Sequence, residues 1–261
     1  MANRGTRLPA VFFGHGSPMN TLADNRFTQT WAGIGTSATR PNAILAVSAH
    51  WVTRGTAVTA MEQPRTIHDF GGFPRALSEF PYPAPGNPEL AARVQSLLAP
   101  TQIEANTSWG LDHGTWSVLA HAFPEADVPV VQLSIDGTQP PQHHYDLARK
   151  LAPLRDDGIM IVGSGNVVHN LGIMDWRNAT NAYDWAVRFN TFVRTHVEKG
   201  EHAALIDYEK MGEDARLSVP TPEHYLPLLY ILGLQDEESL VTIPVDSVEH
   251  GSISMLSVVI S

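Results

Sequence analysis

Four histidines stand where an α/β chain would deliver side chains to a common rim. His15 directly follows the apolar run PAVFFG, His50 follows AILAVSA, and His169 comes shortly after IMIVGSGNVV. Each run reads as a buried strand, so each imidazole is expected just past a strand end, where open α/β sheets form their sites. The fourth, His224, lies in PTPEHY at 220–225. There Thr221 reads as an N-cap and Pro222 as the first residue of a helix, which puts His224 in a first turn able to project into a crevice.

With 12 histidines and no cysteine, the available protein donors are His, Asp and Glu, and thiolate sites and disulfide scaffolds are excluded. A single histidine is ordinarily a hydrogen-bonded structural residue. Four at strand or helix ends point instead to one divalent metal ion held by His15, His50, His169 and His224, since imidazole is the commonest metal ligand. His113, in GLDHGTW at 110–116, also follows a turn. It fits a further ligand, an acid/base or a group supporting the ligands, and a turn or cap at Asp112-His113-Gly114 is the plain alternative. His68 and Asp69 are expected near the site. His143, His144, His196 and His202 fall in polar helical contexts and read as surface residues, while His121 and His250 carry no signal.

The glycines of GHGSP at 14–18 and GSGN at 163–166 fit neither a P-loop nor a GxGxxG pattern. They read as letting the backbone turn and approach a small ligand, and nucleotide binding is not expected. No GxSxG element is present, so Ser17 and Ser164 are poor nucleophiles.

The elements that must position these residues are short apolar runs at 9–13, 43–48, 128–135, 159–162, 241–245 and 253–260, separated by helical patterns that include 88–98, 142–154, 183–199 and 222–232. Continuous hydrophobicity suits strands covered on both faces, and the alternation predicts an α/β fold with a mostly parallel central sheet and helices on both faces. Residues 53–88, rich in Gly, Pro and aromatics, are too long for a simple connection and are expected to shape a site. The 261 residues are read as a single catalytic domain spanning 1–261.

A net charge of -10 with only 17 scattered Lys and Arg argues against nucleic acid. Residues 1–7 lack an apolar leader core, and no run approaches 18 apolar residues, so neither a membrane partner nor export is expected and a cytoplasmic location follows. A monomer or small homo-oligomer is expected.

Together FFGHGSPMN at 12–20, SAHW at 48–51, IHDFGGFP at 67–74, LDHGTW at 111–116, GSGNVVHN at 163–170 and PTPEHYLPLLY at 220–230 resemble the class III extradiol ring-cleavage dioxygenases, the LigB-like superfamily, in its DOPA 4,5-dioxygenase branch. The resemblance runs nearly end to end and in order. It implies a LigB-like α/β fold, a mononuclear metal, and insertion of both atoms of O₂ into a catechol. With DOPA, opening between carbons 4 and 5 would give seco-DOPA, which cyclises to betalamic acid.

By the same resemblance His15, His50 and His224 match metal-ligand positions. His169 matches a site histidine counted as a ligand in this branch and as an acid/base in other relatives, and His113 one near the substrate. The wider superfamily uses two His and one Glu, whereas the third position here is His224. An all-imidazole shell leaves the full metal charge to attract a catecholate and also suits Zn(II). Zinc is thus the expected bound species and Fe(II) the expected metal for oxygen chemistry, because zinc cannot change redox state.

His169 and His113 are the candidates for catalytic proton transfer. Phe70, Phe73, Phe80, Tyr82, Trp109 and Trp116 are candidates to meet an aromatic ring, with ordinary packing as the alternative. Two other function classes fit the same residues: a zinc hydrolase with a His or Asp112 as base, and a non-enzymatic binding protein of the same fold.

Overall fold

The computed structural model describes residues 7–261. Eight strands make the central sheet: β1 (Ala10–Gly14), β2 (Ala43–Thr53), β3 (Thr56–Thr59), β4 (Ile103–Asn106), β5 (Val130–Asp136), β6 (Ile159–Gly165), β7 (Val241–Val245) and β8 (Ser257–Ile260). Their order is β4-β3-β5-β2-β6-β1-β8-β7. The central four, β5, β2, β6 and β1, are parallel, while β3 on one side and β8 on the other run antiparallel to them.

Successive residues of the central strands point into two cores. Ala10 and Phe12 of β1, with Leu45 and Val47 of β2, face one core. Val11, Phe13, Ile44 and Ala46 face the other. Both faces are therefore apolar, which is why these strands read as unbroken hydrophobic runs. Helices α2 (Pro88–Leu98), α4 (Pro141–Arg149), α5 (Asp184–Lys199) and α6 (Leu226–Leu232) cover the first face, and α1 (Arg26–Ser37) and α3 (His113–Ala122) the second. The predicted layered architecture is the one observed. No helix of the described residues is long and apolar enough to cross a membrane.

Several boundaries differ from the pattern, each for a backbone reason. The segment 142–154 divides into α4 and a short helix Pro153–Asp156, because Pro153 has no N–H to continue the ladder. The segment 222–232 likewise divides into a 3₁₀ turn Pro222–His224 and α6, with Pro227 near the start of the new helix. Residues 253–260 are two strands: Ile253–Ser254 pairs with Val248–Glu249, and β8 joins the main sheet. Helix α1 has weak apolar character, yet Asn25 accepts from the Phe27 and Thr28 N–H groups in a capping box that starts it. His144 is buried against the Tyr230 hydroxyl (3.0 Å), not on the surface as its polar neighbours suggest.

Candidate metal centre

The parallel strands β2, β6 and β1 are adjacent, and their carboxyl ends carry His50, His169 and His15 to one rim. His50 corrects the expected placement, since β2 runs on to Thr53 rather than ending before it. Between Val47 and Val52 its register on β5 shifts, and this irregularity turns His50 to the rim inside a continuing strand. His224 arrives from the opposite side. The end of β6 meets its loop so closely that a Cβ on Gly165 would lie 2.2 Å from the His224 carbonyl oxygen. The Asn166 N–H then bonds to that carbonyl at 2.8 Å.

The rings converge. Centroid separations are 5.2 Å for His15 and His50, 5.0 Å for His50 and His224, and 5.4 Å for His15 and His224. His113 joins them, 3.8 Å from His50, and single donor atoms of His15, His50 and His113 lie within 4.8 Å of one another. His169 stacks on His224 at 3.5 Å with only 7° between the planes.

What fixes the rings is a set of partners on their outer nitrogens. Ser164 donates its hydroxyl proton to the Gly114 carbonyl, so its oxygen accepts from His15 Nδ1 at 2.9 Å. Asp69 lies beside two rings as a charge contact without hydrogen-bond geometry: Oδ1 is 2.9 Å from His113 Nδ1 and Oδ2 is 3.4 Å from His50 Nδ1. Its Oδ1 also accepts the His113 backbone N–H. Glu223 Oε1 lies 3.2 Å from His224 Nδ1. Engaging Nδ1 leaves Nε2 with a free lone pair, and the His15 and His50 Nε2 atoms face each other at 3.4 Å. His224 Nε2 is buried with no hydrogen-bond partner. Such an orphan is costly unless something else satisfies it, and a cation among lone pairs does so.

The electrostatics agree. Burial, aided by neighbouring rings, holds His15 and His224 well below the ordinary imidazole value. Burial brings His50 down to about 3 and His169 to about 4. These rings are neutral near pH 7, the form that binds metals. Burial alone would raise Asp69, but its contacts with His113, and to a smaller extent His50, together outweigh it and hold the carboxyl below its ordinary range, so it stays ionised behind two rings. The donor set fits a single metal site.

A cavity of about 630 Å³ opens over the cluster. All five histidines line it, with Phe70 and Phe73 from the long 53–88 segment. The other aromatic candidates pack elsewhere: Phe80 stacks on buried Trp116, Trp109 on Trp51, and the Tyr82 hydroxyl donates to the Phe123 carbonyl. His68 holds the Phe80 carbonyl instead of lining the cavity. Asp112 is fully buried as the N-cap of α3, accepting from Thr115 N and Ser48 Oγ, so it is not available as a base. Met174, Trp176, Glu249 and His250 line the cavity although their types and spacing gave no sign of it.

Comparison with known proteins places this geometry in context. Residues 15–260 match the family model described as the catalytic LigB subunit of aromatic ring-opening dioxygenase. A 4,5-DOPA dioxygenase extradiol of Escherichia coli K12 is 54% identical over 97% of this chain and 94% of its own length. One from Beta vulgaris is 37% identical over 93% and 92%. The crystal structure of an uncharacterized E. coli K12 protein, 48% identical, superposes with a TM-score of 0.86 over 98% of this chain and 100% of that one.

Proposed function

Because the chain belongs to the LigB family of aromatic ring-opening dioxygenases, we propose that it opens the ring of a catechol such as DOPA by extradiol cleavage between carbons 4 and 5. The product would be seco-DOPA, which closes to betalamic acid. The observation that carries this reading is the cluster itself: five imidazoles beneath one cavity, with donor atoms of His15, His50 and His113 within 4.8 Å of one another.

We assign His15, His50 and His224 as the holders of one divalent ion. The unpartnered Nε2 of His224 supports its place in the set. His169 is the harder case. A ligated ion lies near the plane of its imidazole along the lone pair, and two nearly parallel rings stacked at 3.5 Å do not aim their lone pairs at the same point. This favours His169 as a proton acceptor beside the ligands over a permanent fourth donor. Its neutral ring can take the second phenolic proton of a catechol. His113, tied to ionised Asp69, is placed to hold a proton near the same oxygens.

The ion that this set suits would supply, if Fe(II), the electron transfer between catechol and O₂ that ring opening requires, whereas Zn(II) would bind substrate without redox change. The protein's own share is orientation and exclusion of water. Phe70 and Phe73 offer edges and faces to the aromatic ring, and Met174 and Met255 add apolar wall.

The test is anaerobic loading with Fe(II), followed by air and a catechol. A yellow ring-opened product with uptake of one O₂ per ring is expected, with His169→Ala and His113→Ala keeping metal but losing turnover and His224→Ala losing metal. Turnover that needs neither iron nor O₂ would overturn the reading.

A further inference from the structure

The cavity has a second chemical end. Apart from the histidine cluster, the side chains with polar atoms in its lining are Ser17, Asn20, Asn25, Trp176, Glu249 and His250. Both asparagines are committed: Asn20 donates to the His15 carbonyl and accepts from Asn25, whose own oxygen caps α1. Glu249 and His250 are not. Glu249 gives Oε1 to Arg26 at 2.7 Å and keeps Oε2 free. His250 Nδ1 is spent on the Asp175 carbonyl at 3.1 Å, which leaves its Nε2 without a protein partner among the described residues. Among the described residues no Lys or Arg lines the cavity, and its one carboxylate is Glu249.

We infer that Glu249, with His250 beside it, selects catechols whose side chain ends in an ammonium group, and that Arg26 extends the selection to amino acids by meeting their carboxylate. This rests on the ring-cleavage reading and adds to it the recognition of the tail. A carboxylate with a free oxygen is matched by a donor-only cation, and an ammonium is that group. A catechol acid without an amine would leave Glu249 unmatched and set its carboxylate beside it, with only the exposed Arg26 outside the cavity to offset the repulsion.

Arg26 stands just outside, its side chain 67% exposed against 20% for Glu249. An ion pair this exposed is weak, so a zwitterion can replace it partner for partner, ammonium on Glu249 and carboxylate on Arg26. The backbone supports the arrangement. His250 sits in the left-handed region at φ 51°, and its N–H bonds to the Ala179 carbonyl, so the turn that carries both residues is held from the neighbouring loop.

The experiment compares DOPA, dopamine and 3-(3,4-dihydroxyphenyl)propanoic acid with the iron-loaded enzyme, its Glu249→Gln, Glu249→Lys and Arg26→Gln variants, and calorimetric binding of the same compounds under argon. The ratio of kcat/KM for dopamine over the acid is expected to fall at least tenfold in Glu249→Gln and to invert in Glu249→Lys, mainly through KM. Arg26→Gln should lower DOPA relative to dopamine. Catechol opening with these ratios unchanged within twofold overturns the Glu249 assignment and leaves the ring-cleavage reading intact. If no catechol is opened but binding shows the same selectivity lost in Glu249→Gln, ring cleavage falls and the recognition site stands.

Discussion

Replacing Asp69 by Asn tests whether the cluster is held from behind. The two carboxylate oxygens face His113 Nδ1 and His50 Nδ1, and both rings must donate there if both Nε2 lone pairs are to face inward. A carboxamide of the same shape has one acceptor and one donor, so one of the two rings meets an N–H where it needs an oxygen. That ring must rotate or adopt the other tautomer. Loss of such an outer partner typically weakens metal affinity about 10- to 100-fold, or roughly 1.4–2.7 kcal/mol. With metal at about 100 times the wild-type Kd, the stabilisation of the fold by binding should drop from about 2.7 to between about 1.4 and 0.4 kcal/mol. Competition against a chromophoric zinc chelator gives the affinity, and thermal melts with and without metal give the linked stability. An affinity within twofold of wild type would refute the argument that Asp69 orients these rings.

Three further outcomes are expected. Gly165→Ala places a methyl against the His224 carbonyl, where a Cβ would sit at 2.2 Å, so the loop must retreat and metal affinity should fall at least tenfold in the same competition assay, while Gly33→Ala, with open space at its Cβ, should not change it. Burial lowers His144 from 6.5 to about 4, so between those values the unfolded chain takes up a proton that the folded chain refuses. Its contribution is complete above pH 6.5 and is lost as pH falls toward 4, on the order of 3 kcal/mol over that window, and urea unfolding of His144→Gln should show a correspondingly shallower acid limb. Arg155 is fully buried and donates to the carbonyls of Leu8, Leu234 and Ile260. Arg155→Met should cost about 3–5 kcal/mol in chemical denaturation by orphaning them.

The layered fold was legible because burial on both faces writes itself into β1, β2 and β6 as unbroken apolar runs, and the ligand candidates because three of them stand near the ends of those runs. The apolar run suggests that β2 ends before His50, whereas the strand continues to Thr53, since a register shift within it leaves no compositional mark. Asp69 was noticed only as a loop residue near the site. Its double engagement depends on how a long Gly- and Pro-rich segment folds back over β2 and α3, which periodicity does not encode. Glu249 and His250 were invisible for a related reason: they reach the cavity through a two-stranded ribbon and a left-handed turn, with no pattern of apolar residues pointing to it. Asp112 shows the opposite case, an acidic residue beside a site histidine whose work is to start a helix.

The three nitrogens proposed to hold the ion come from the first strand, the second, and a turn close to the final helix of the chain. No subset of neighbouring elements contains all three, so a nascent polypeptide emerging in order cannot complete the proposed set until residues past 224 have docked against β6. Metal acquisition is thereby tied to completion of the long-range contacts, the slowest part of assembling such a topology. A chain that stalls before that point would lack the third proposed donor, and full metal affinity would become a readout of maturation.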